Sequence, residues 1–337
     1  MSRVAYYVHH HGRGHWSRFS AIRDAASFPV RSISELDCAD LVLPSDLPAL
    51  PAESGMTGAP TFHWAPDDLR SGLPRARLIL DALADWNVTG FVVDVSVEAA
   101  LLGRLAGIAP IVVRQHGIRT DRAHRNAYDV ARCLLAPYAA VLEDPATPAD
   151  VRTRTVHVGY VVAGTAHDET NGAPTVACGP GDVVVLWGAG GEPPSAAWID
   201  ELALAVQGEV HVLGSRPMTS ATNVVVHGWV ERPERFLTER PTVVTTCGNN
   251  TISLVGQAGC PLVIVPQERP FREQEHHAER LVSMGLAVDA RSGSWSAVLG
   301  AAAATADRWA TLADQFDGAR LAAQVIEYYS ADMRASA

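Results

Sequence analysis

Lysine is absent from the 337-residue chain, and all 27 basic residues are arginine. That excludes Schiff-base chemistry and a phosphate-loop lysine. Positive charge is in deficit overall. The formal net charge is −10, which argues against nucleic-acid partners and against docking on an anionic membrane by bulk electrostatics. Cysteine is sparse. The five present (Cys38, Cys133, Cys178, Cys247 and Cys260) are scattered, odd in number and never spaced as C-x-x-C. Neither a disulfide framework nor a zinc motif is expected, and a reduced, cytoplasmic setting fits. No apolar run approaches the roughly 20 residues of a membrane span. The alanine-rich stretch from Ala297 to Ala306 falls short, and Val4 to Val8 is too brief for a signal peptide. With 19% charged and 47% hydrophobic residues, extended disorder is not expected and two α/β cores are affordable. The expectation is a soluble, cytoplasmic protein without a transmembrane segment. An apolar patch remains the one route to peripheral contact with a bilayer.

What is present is a repeated strand–small-residue loop–helix pattern. Val4 to Val8 reads as a buried strand, followed by His9-His10-His11-Gly12-Arg13-Gly14-His15. From Trp16 onward, Trp16, Phe19, Ile22 and Ala26 have helical spacing. His15 stands at the helix entrance, where it is either a general base or a helix-capping residue. The run His9-His10-His11 is not read as a metal site, because neighbours on an extended segment point oppositely and no carboxylate lies near. Arg31 to Phe62 alternates short apolar runs with Pro, Ser and Gly, read as a strand plus a surface excursion. An amphipathic helix is expected over Leu69–Trp86, with Leu69, Leu73, Ala76, Leu80 and Leu83 on its apolar face. The strand from Gly90 ends in Asp94, a helix runs from Val97 to Ala106, and the strand Ile111–Val113 ends at Arg114-Gln115-His116-Gly117. Parallel strands bring Asp94 and His116 to the same edge as His15. There Asp94 either orients His15 or caps the next helix. A helix over Arg122–Leu135 and strands at Ala139–Leu142 and Thr155–Val158 complete this half, and Gly159–Pro174 reads as the linker. The expected domains are 1–160 and 161–337.

The second half restarts with the strand Asp182–Trp187, the loop Gly188-Ala189-Gly190-Gly191 and a helix over Ser195–Val206. Strands at Val210–Leu213 and Val224–His227 lead to Gly214-Ser215-Arg216 and Gly228-Trp229-Val230. Next come the strand Val243–Thr246, the turn Cys247-Gly248-Asn249-Asn250 and a helix Thr251–Ala258 capped by Asn249 or Asn250. The strand Leu262–Val265 then ends in the polar loop Gln267–Gln274. A small-residue turn feeding a helix N-terminus is an anion site, since unpaired backbone N–H groups point outward at the positive end of the helix. The alternation gives an α/β fold of two Rossmann-like, doubly wound domains in series, with the ligand at the carboxyl edges of the strands. Ser296–Tyr329 reads as helical.

These elements, in this order, resemble two-domain GT-B glycosyltransferases of the MurG-like kind over nearly the whole chain. Gly12-Arg13-Gly14-His15 looks like the family's G-x-G-H loop and Gly188-Ala189-Gly190-Gly191 like its second glycine loop. Gly248-Asn249-Asn250-Thr251, Ala258-Gly259-Cys260-Pro261 and Val265-Pro266 match the donor motif, and Glu273-Gln274 with His277-Ala278 is similar to the element that contacts sugar hydroxyls. The resemblance implies an inverting, metal-independent transferase moving a sugar from a UDP- or dTDP-sugar, a co-substrate and not a cofactor, to a small-molecule, peptide or polyprenyl-linked acceptor. It implies that His15 acts as base with Asp94 as orienter, and that Gly14 and His116 lie on the acceptor side. Gly188, Gly190, Gly191, Gly248, Asn249, Asn250 and Thr251 would hold the diphosphate, Val230 the nucleotide base, and Glu273 and Gln274 the sugar, with Arg216 and Arg269 adding contacts to phosphate. The chain has no Asp-x-Asp metal motif. In this family the last helix often crosses back to the N-terminal domain. One departure stands out: Leu254 occupies the position of the glutamate that binds the ribose hydroxyls. It points to a deoxyribose donor, a substitute partner, or a degenerate subunit that binds another protein. A nucleotide-sugar hydrolase is the other activity compatible with the same loops.

Overall fold

The computed structural model describes residues 2–10, 13–45, 61–65, 69–162, 178–179, 181–188 and 191–331. It divides into two compact units. One comprises residues 1–140, 145–164 and 317–337, the other 141–144 and 165–316.

The first unit is built in chain order from β1 (Val4–Tyr7), α1 (Arg13–Ala25), β2 (Val30–Ser34), β3 (Leu41–Val42), α2 (Leu69–Asp85), β4 (Gly90–Asp94), α3 (Val97–Leu105), β5 (Ile111–Val113), α4 (Arg122–Val130), β6 (Cys133–Ala136), α5 (Ala149–Thr153) and β7 (Thr155–His157). The strands form one parallel sheet in the order β3-β2-β1-β4-β5-β6-β7. Val4 pairs with both Val30 and Gly90, so β1 is central and the winding reverses between β1 and β4. Buried strands covered on both faces need apolar residues at every position, and β1, β4, β5 and β6 are buried throughout. One core lies on the α2–α4 side, around Phe91, Val93, Val112 and Leu134. The other, around Phe19, Ile22, Val92 and Leu135, is covered by α1.

Three expectations for this unit are corrected. Helix α1 starts at Arg13, not Trp16, so Gly14 and His15 sit in its first turn. Leu134 and Leu135 belong to strand β6, and 140–142 is a short 3-10 turn and not a strand. The sequence periodicity misleads here because a fully buried strand and the buried face of a helix both present contiguous apolar residues. In α2 the buried face is Ile79, Ala82 and Leu83, whereas Leu69 and Leu73 are exposed.

The second unit contains β8 (Val183–Leu186), α6 (Ala196–Ala205), β9 (Val210–Leu213), β10 (Val224–Gly228), β11 (Thr242–Thr245), α7 (Asn249–Ala258), β12 (Leu262–Ile264), α8 (Glu273–Ser283), β13 (Val288–Asp289), α9 (Trp295–Ala302) and α10 (Thr305–Ala310). Its sheet is again parallel, in the order β10-β9-β8-β11-β12-β13, reversing between β8 and β11. The last helix, α11 (Gly318–Ala331), belongs to the first unit. Ala322 and Ile326 pack into the α1-side core with Phe19 and Ile22. Gly90 in β4 admits the Ser330 side chain, and Gly318 lies against the Tyr160 carbonyl, where a Cβ would collide. Burying Ile326 contributes about 1.5–3 kcal/mol by area alone. Among the described residues no helix is long and apolar enough to cross a membrane.

Candidate active site

In open α/β sheets, ligands bind at the carboxyl edge where the strand order reverses. Each unit carries sequence-predicted site residues at that point. In the first unit the reversal lies between β1, which leads into α1, and β4, which ends in Asp94. His15 Nδ1 lies 3.0 Å from Asp94 Oδ1. Ser96, and not Asp94, caps α3 by accepting from Ala99 N. The Asp94 carboxylate is fully buried and meets a residue that sequence reasoning missed. Arg18 Nε donates to Oδ2 and its Nη2 to Oδ1, both at 3.1 Å, and Arg18 is itself only 2% exposed. The helical spacing of His15 and Arg18, three apart, was the available signal. Burial alone would raise the Asp94 pKa, but the Arg18 charge and then His15 outweigh it and hold the carboxyl well below the usual carboxylate range. His15 Nδ1 also lies 3.1 Å from Arg18 Nη2, so its partner depends on the tautomer; the tautomer whose Nδ1–H donates to the ionised Asp94 has its lone pair on Nε2. Burial, and after it the Asp94 charge, push the neighbouring Tyr6 phenol well above its ordinary pKa. Val95, next in the chain, has φ 64°, a strained conformation for a β-branched residue of the kind that gathers at functional sites.

His116 follows β5 and is buried, stacked on Tyr138 with ring centroids 3.8 Å apart. The same end of the sheet carries a second grouping that the sequence did not announce. His63 Nε2 is 3.0 Å and His124 Nδ1 2.5 Å from the Asp121 carboxylate, and Asp121 also caps α4. Burial first, then the Arg119 charge, push His124 down to about 4, so its imidazole is neutral near pH 7.

In the second unit the loops after β8, β11 and β12 are tied to one another. Gly188 lies two residues beyond β8; Gly190 lies outside the described residues; Gly191 has φ 98°, and a Cβ on it would collide with Gln267 Oε1 and Arg269 Nη2. Gln267 Nε2 and Trp187 Nε1 both donate to the Glu192 carbonyl, at 2.7 and 2.8 Å. Buried Gln274 accepts through Oε1 from Cys247 N at 3.3 Å and from Gln267 N at 3.0 Å, clamping the two loops with its own carbonyl. Glu273 opens α8 beside it and is half-buried, after two residues with positive φ, Phe271 and Arg272. The capping expectation for α7 is corrected: the cap is Gly248 (φ −67°, ψ 133°), so Asn249, Asn250 and Thr251 form the first turn. Gly248 has no side chain that could cap the first turn, which opens on the loop. Leu254 lies one turn further along, half-buried. Towards the other edge, Gly214 N donates to Gly228 O, and the Arg216 guanidinium lies over Gly228, where a Cβ would stand 2.6 Å from Nε. Trp229 is 47% exposed and Val230 half-buried beside it.

His277 is buried and its Nδ1 lies 3.0 Å from the Cys247 carbonyl. Burial, only partly offset by that carbonyl, lowers its pKa to about 4. Unfolded histidine titrates near 6.5, so between about 6.5 and about 4 the unfolded chain binds the extra proton. Stability of the second unit should therefore fall as pH drops through that window, by up to ~1.4 kcal/mol per pH unit. Urea melts of wild type and His277→Asn across this range test it, since equal slopes in the two proteins would remove His277 as the cause.

No protein-family model matches the sequence, and no match is found among curated proteins. Solved structures do match over nearly the whole chain. The glycotransferase of kitacinnamycin superposes with TM-score 0.70 at 18% identity, covering 97% of this chain and 99% of that one. The spinosyn rhamnosyltransferase SpnG gives 0.65 at 16%, covering 96% and 99%, and a UDP-glucosyltransferase from Polygonum tinctorium 0.67 at 14%, covering 97% and 99%. At these identities the likeness is one of fold: this chain has the GT-B fold of two parallel α/β units, shared with these glycosyltransferase structures.

Proposed function

We propose that the protein is a glycosyltransferase that moves a sugar from a nucleotide-diphosphate donor to a hydroxyl acceptor. The observation that carries this reading is that each unit places its candidate residues at its own topological switch point. One holds a carboxylate-oriented imidazole, the other a glycine-led helix N-terminus beside glycine loops. His15 Nε2 takes the acceptor hydroxyl proton as the oxygen–sugar bond forms and the sugar–diphosphate bond breaks, with the electron pair leaving on the diphosphate. The α7 N-terminus, worth up to ~2 kcal/mol towards an anion, the Gly188–Gly191 loop and Arg269 stabilise that leaving group. Such a base and such an anion site support a metal-independent, inverting reaction. Glu273 and the amide of Gln274 orient the sugar. The MurG-like character rests on the sequence motifs alone. SpnG has been crystallised with thymidine diphosphate, and Leu254 in place of a ribose-binding carboxylate directs attention to dTDP-sugars first.

A thermal-shift screen of UDP, dTDP, GDP and ADP tests donor binding directly. One nucleotide should stabilise the protein by about 2.7 kcal/mol at a hundred times its Kd, and dTDP is expected ahead of UDP. Leu254→Glu should shift the preference towards UDP. No shift with any nucleotide at saturation would replace this reading with a degenerate, partner-binding subunit. Rapid stoichiometric release of free sugar without acceptor would replace it with a hydrolase.

A further inference from the structure

Near the amino-terminal ends of β8 and β9, away from the donor loops, the second unit holds a buried thiol, a half-buried carboxylate and a buried imidazole together. Cys178 precedes β8, Asp182 stands immediately before it, and His211 is the second residue of β9. Their ligand atoms all lie within 4.8 Å of one another. His211 is 4% exposed, and its Nε2 is buried with no hydrogen-bond partner. The polar atoms facing it are Asp182 Oδ2 at 3.6 Å and Glu209 Oε2 at 3.8 Å, too far for hydrogen bonds. Its other ring nitrogen, Nδ1, is 3.2 Å from His227 Nε2. The Asp182 carboxylate is fixed in place, accepting from Glu209 N at 2.7 Å and from Gly179 N. Cys178 Sγ donates to the Phe236 carbonyl at 3.3 Å.

We propose that Cys178, Asp182 and His211 bind a divalent transition-metal ion, zinc in the first instance, as a structural centre. A thiolate, an imidazole and a carboxylate are the donors zinc takes, whereas magnesium and calcium take oxygen alone. The unpartnered, inward-facing Nε2 is the strongest sign. A neutral imidazole that donates Nδ1–H to His227 presents its lone pair at Nε2, and His227 then serves as the outer partner that metal-bound histidines keep. Glu209 stands close enough to supply a fourth oxygen after a change of rotamer, or a water fills that corner. Among the described residues, Cys178 and Asp182 also line an open pocket of about 470 Å³, which gives the ion an entry path. The other histidine–carboxylate grouping is the weaker candidate, because the Arg119 guanidinium lies 3.0 Å from His124 Nε2 and repels a cation.

Binding breaks the Cys178 S–H bond, forms a sulfur–metal bond and releases one proton to solvent. Because the thiolate is the ligand, affinity should rise with pH. The site lies at the opposite end of β8 from the glycine loop, roughly 13 Å along a four-residue strand. The ion therefore pins the entering segment to the sheet and takes no part in holding the donor diphosphate.

The test is titration of chelator-treated, full-length protein with cobalt(II). The expected result is one ion bound, a near-ultraviolet thiolate-to-cobalt charge-transfer band, one proton released, a raised Tm, and displacement by zinc. Cys178→Ser should abolish the band, and His211→Ala should weaken zinc binding by more than the roughly 10–100-fold that loss of an outer-shell partner costs. Glu209→Gln, on the surface, gives a folded variant with a smaller loss if His211→Ala does not fold. His63→Ala should bind as wild type does. A band of equal intensity in Cys178→Ser, or no band and no Tm shift for wild type at millimolar cobalt, would overturn the proposal.

Discussion

His15→Ala is expected to lower kcat for sugar transfer by about 10²–10⁴, the range a positioned general base contributes, with little loss of stability. The stability expectation follows from the geometry of its neighbours. Removing the imidazole leaves both Arg18–Asp94 hydrogen bonds in place, so the buried carboxylate keeps its charge partner. KM for the donor should stay close to that of wild type, because the donor-side residues belong to the other unit. Steady-state kinetics with the nucleotide-sugar found by thermal shift would check this. Full turnover in His15→Ala with an unchanged pH profile would remove the imidazole from the chemistry. Asp94→Asn is less informative on its own, since it disturbs the base and the ion pair together.

Arg18→Ala should have the larger structural effect, about 3–5 kcal/mol of destabilisation, because it leaves Asp94 charged and buried with only His15 and the Tyr6 hydroxyl, 3.5 Å away, beside it. For a unit of this size that corresponds to roughly 6–20 °C in Tm. Removing both charges, as in Arg18→Met with Asp94→Asn, should recover most of the loss, since a buried pair contributes little net stability over apolar replacements. Asp94 also sets a pH dependence. Its folded pKa lies below the unfolded carboxylate value of about 3.9, so the stabilisation is complete above that value and is lost as pH falls towards the folded one. Urea melts of the single and double variants at pH 7 and near pH 3 separate these contributions. A single-variant loss below about 1 kcal/mol would mean that water reaches Asp94 and replaces the guanidinium.

Much of this was legible in the sequence where local chemistry and burial agree. Val4–Tyr7, Gly90–Asp94 and Val183–Leu186 are apolar strands followed by small or polar residues, and they are central strands of their sheets. The adjacency of His15 and Asp94 could be read from parallel winding alone, because Asp94 ends β4 and His15 stands near the start of the helix that follows the neighbouring strand β1. Starting the helix at Trp16 leaves His15 in a loop and conceals the three-residue spacing that aims both His15 and Arg18 at Asp94. The strand Cys133–Ala136 was absorbed into the preceding helix because Leu134 and Leu135 suit either element. The Cys178, Asp182 and His211 grouping forms only when β9 pairs with β8, so no short motif could have announced it. Nor does sequence composition foretell a valine with φ 64°, at Val95 between β4 and α3.

The helix Gly318–Ala331 carries a consequence for how the protein is made. A ribosome releases the chain from its amino end, so α1 and the first sheet emerge long before the helix that covers Phe19 and Ile22. Residues 165–316, nearly all of the other unit, must be synthesised in between. Throughout that interval the nascent first unit presents an apolar face that α1 covers only in part, the condition in which chaperones are recruited and aggregation begins. Its maturation is set by the end of translation and not by the completion of its own sheet.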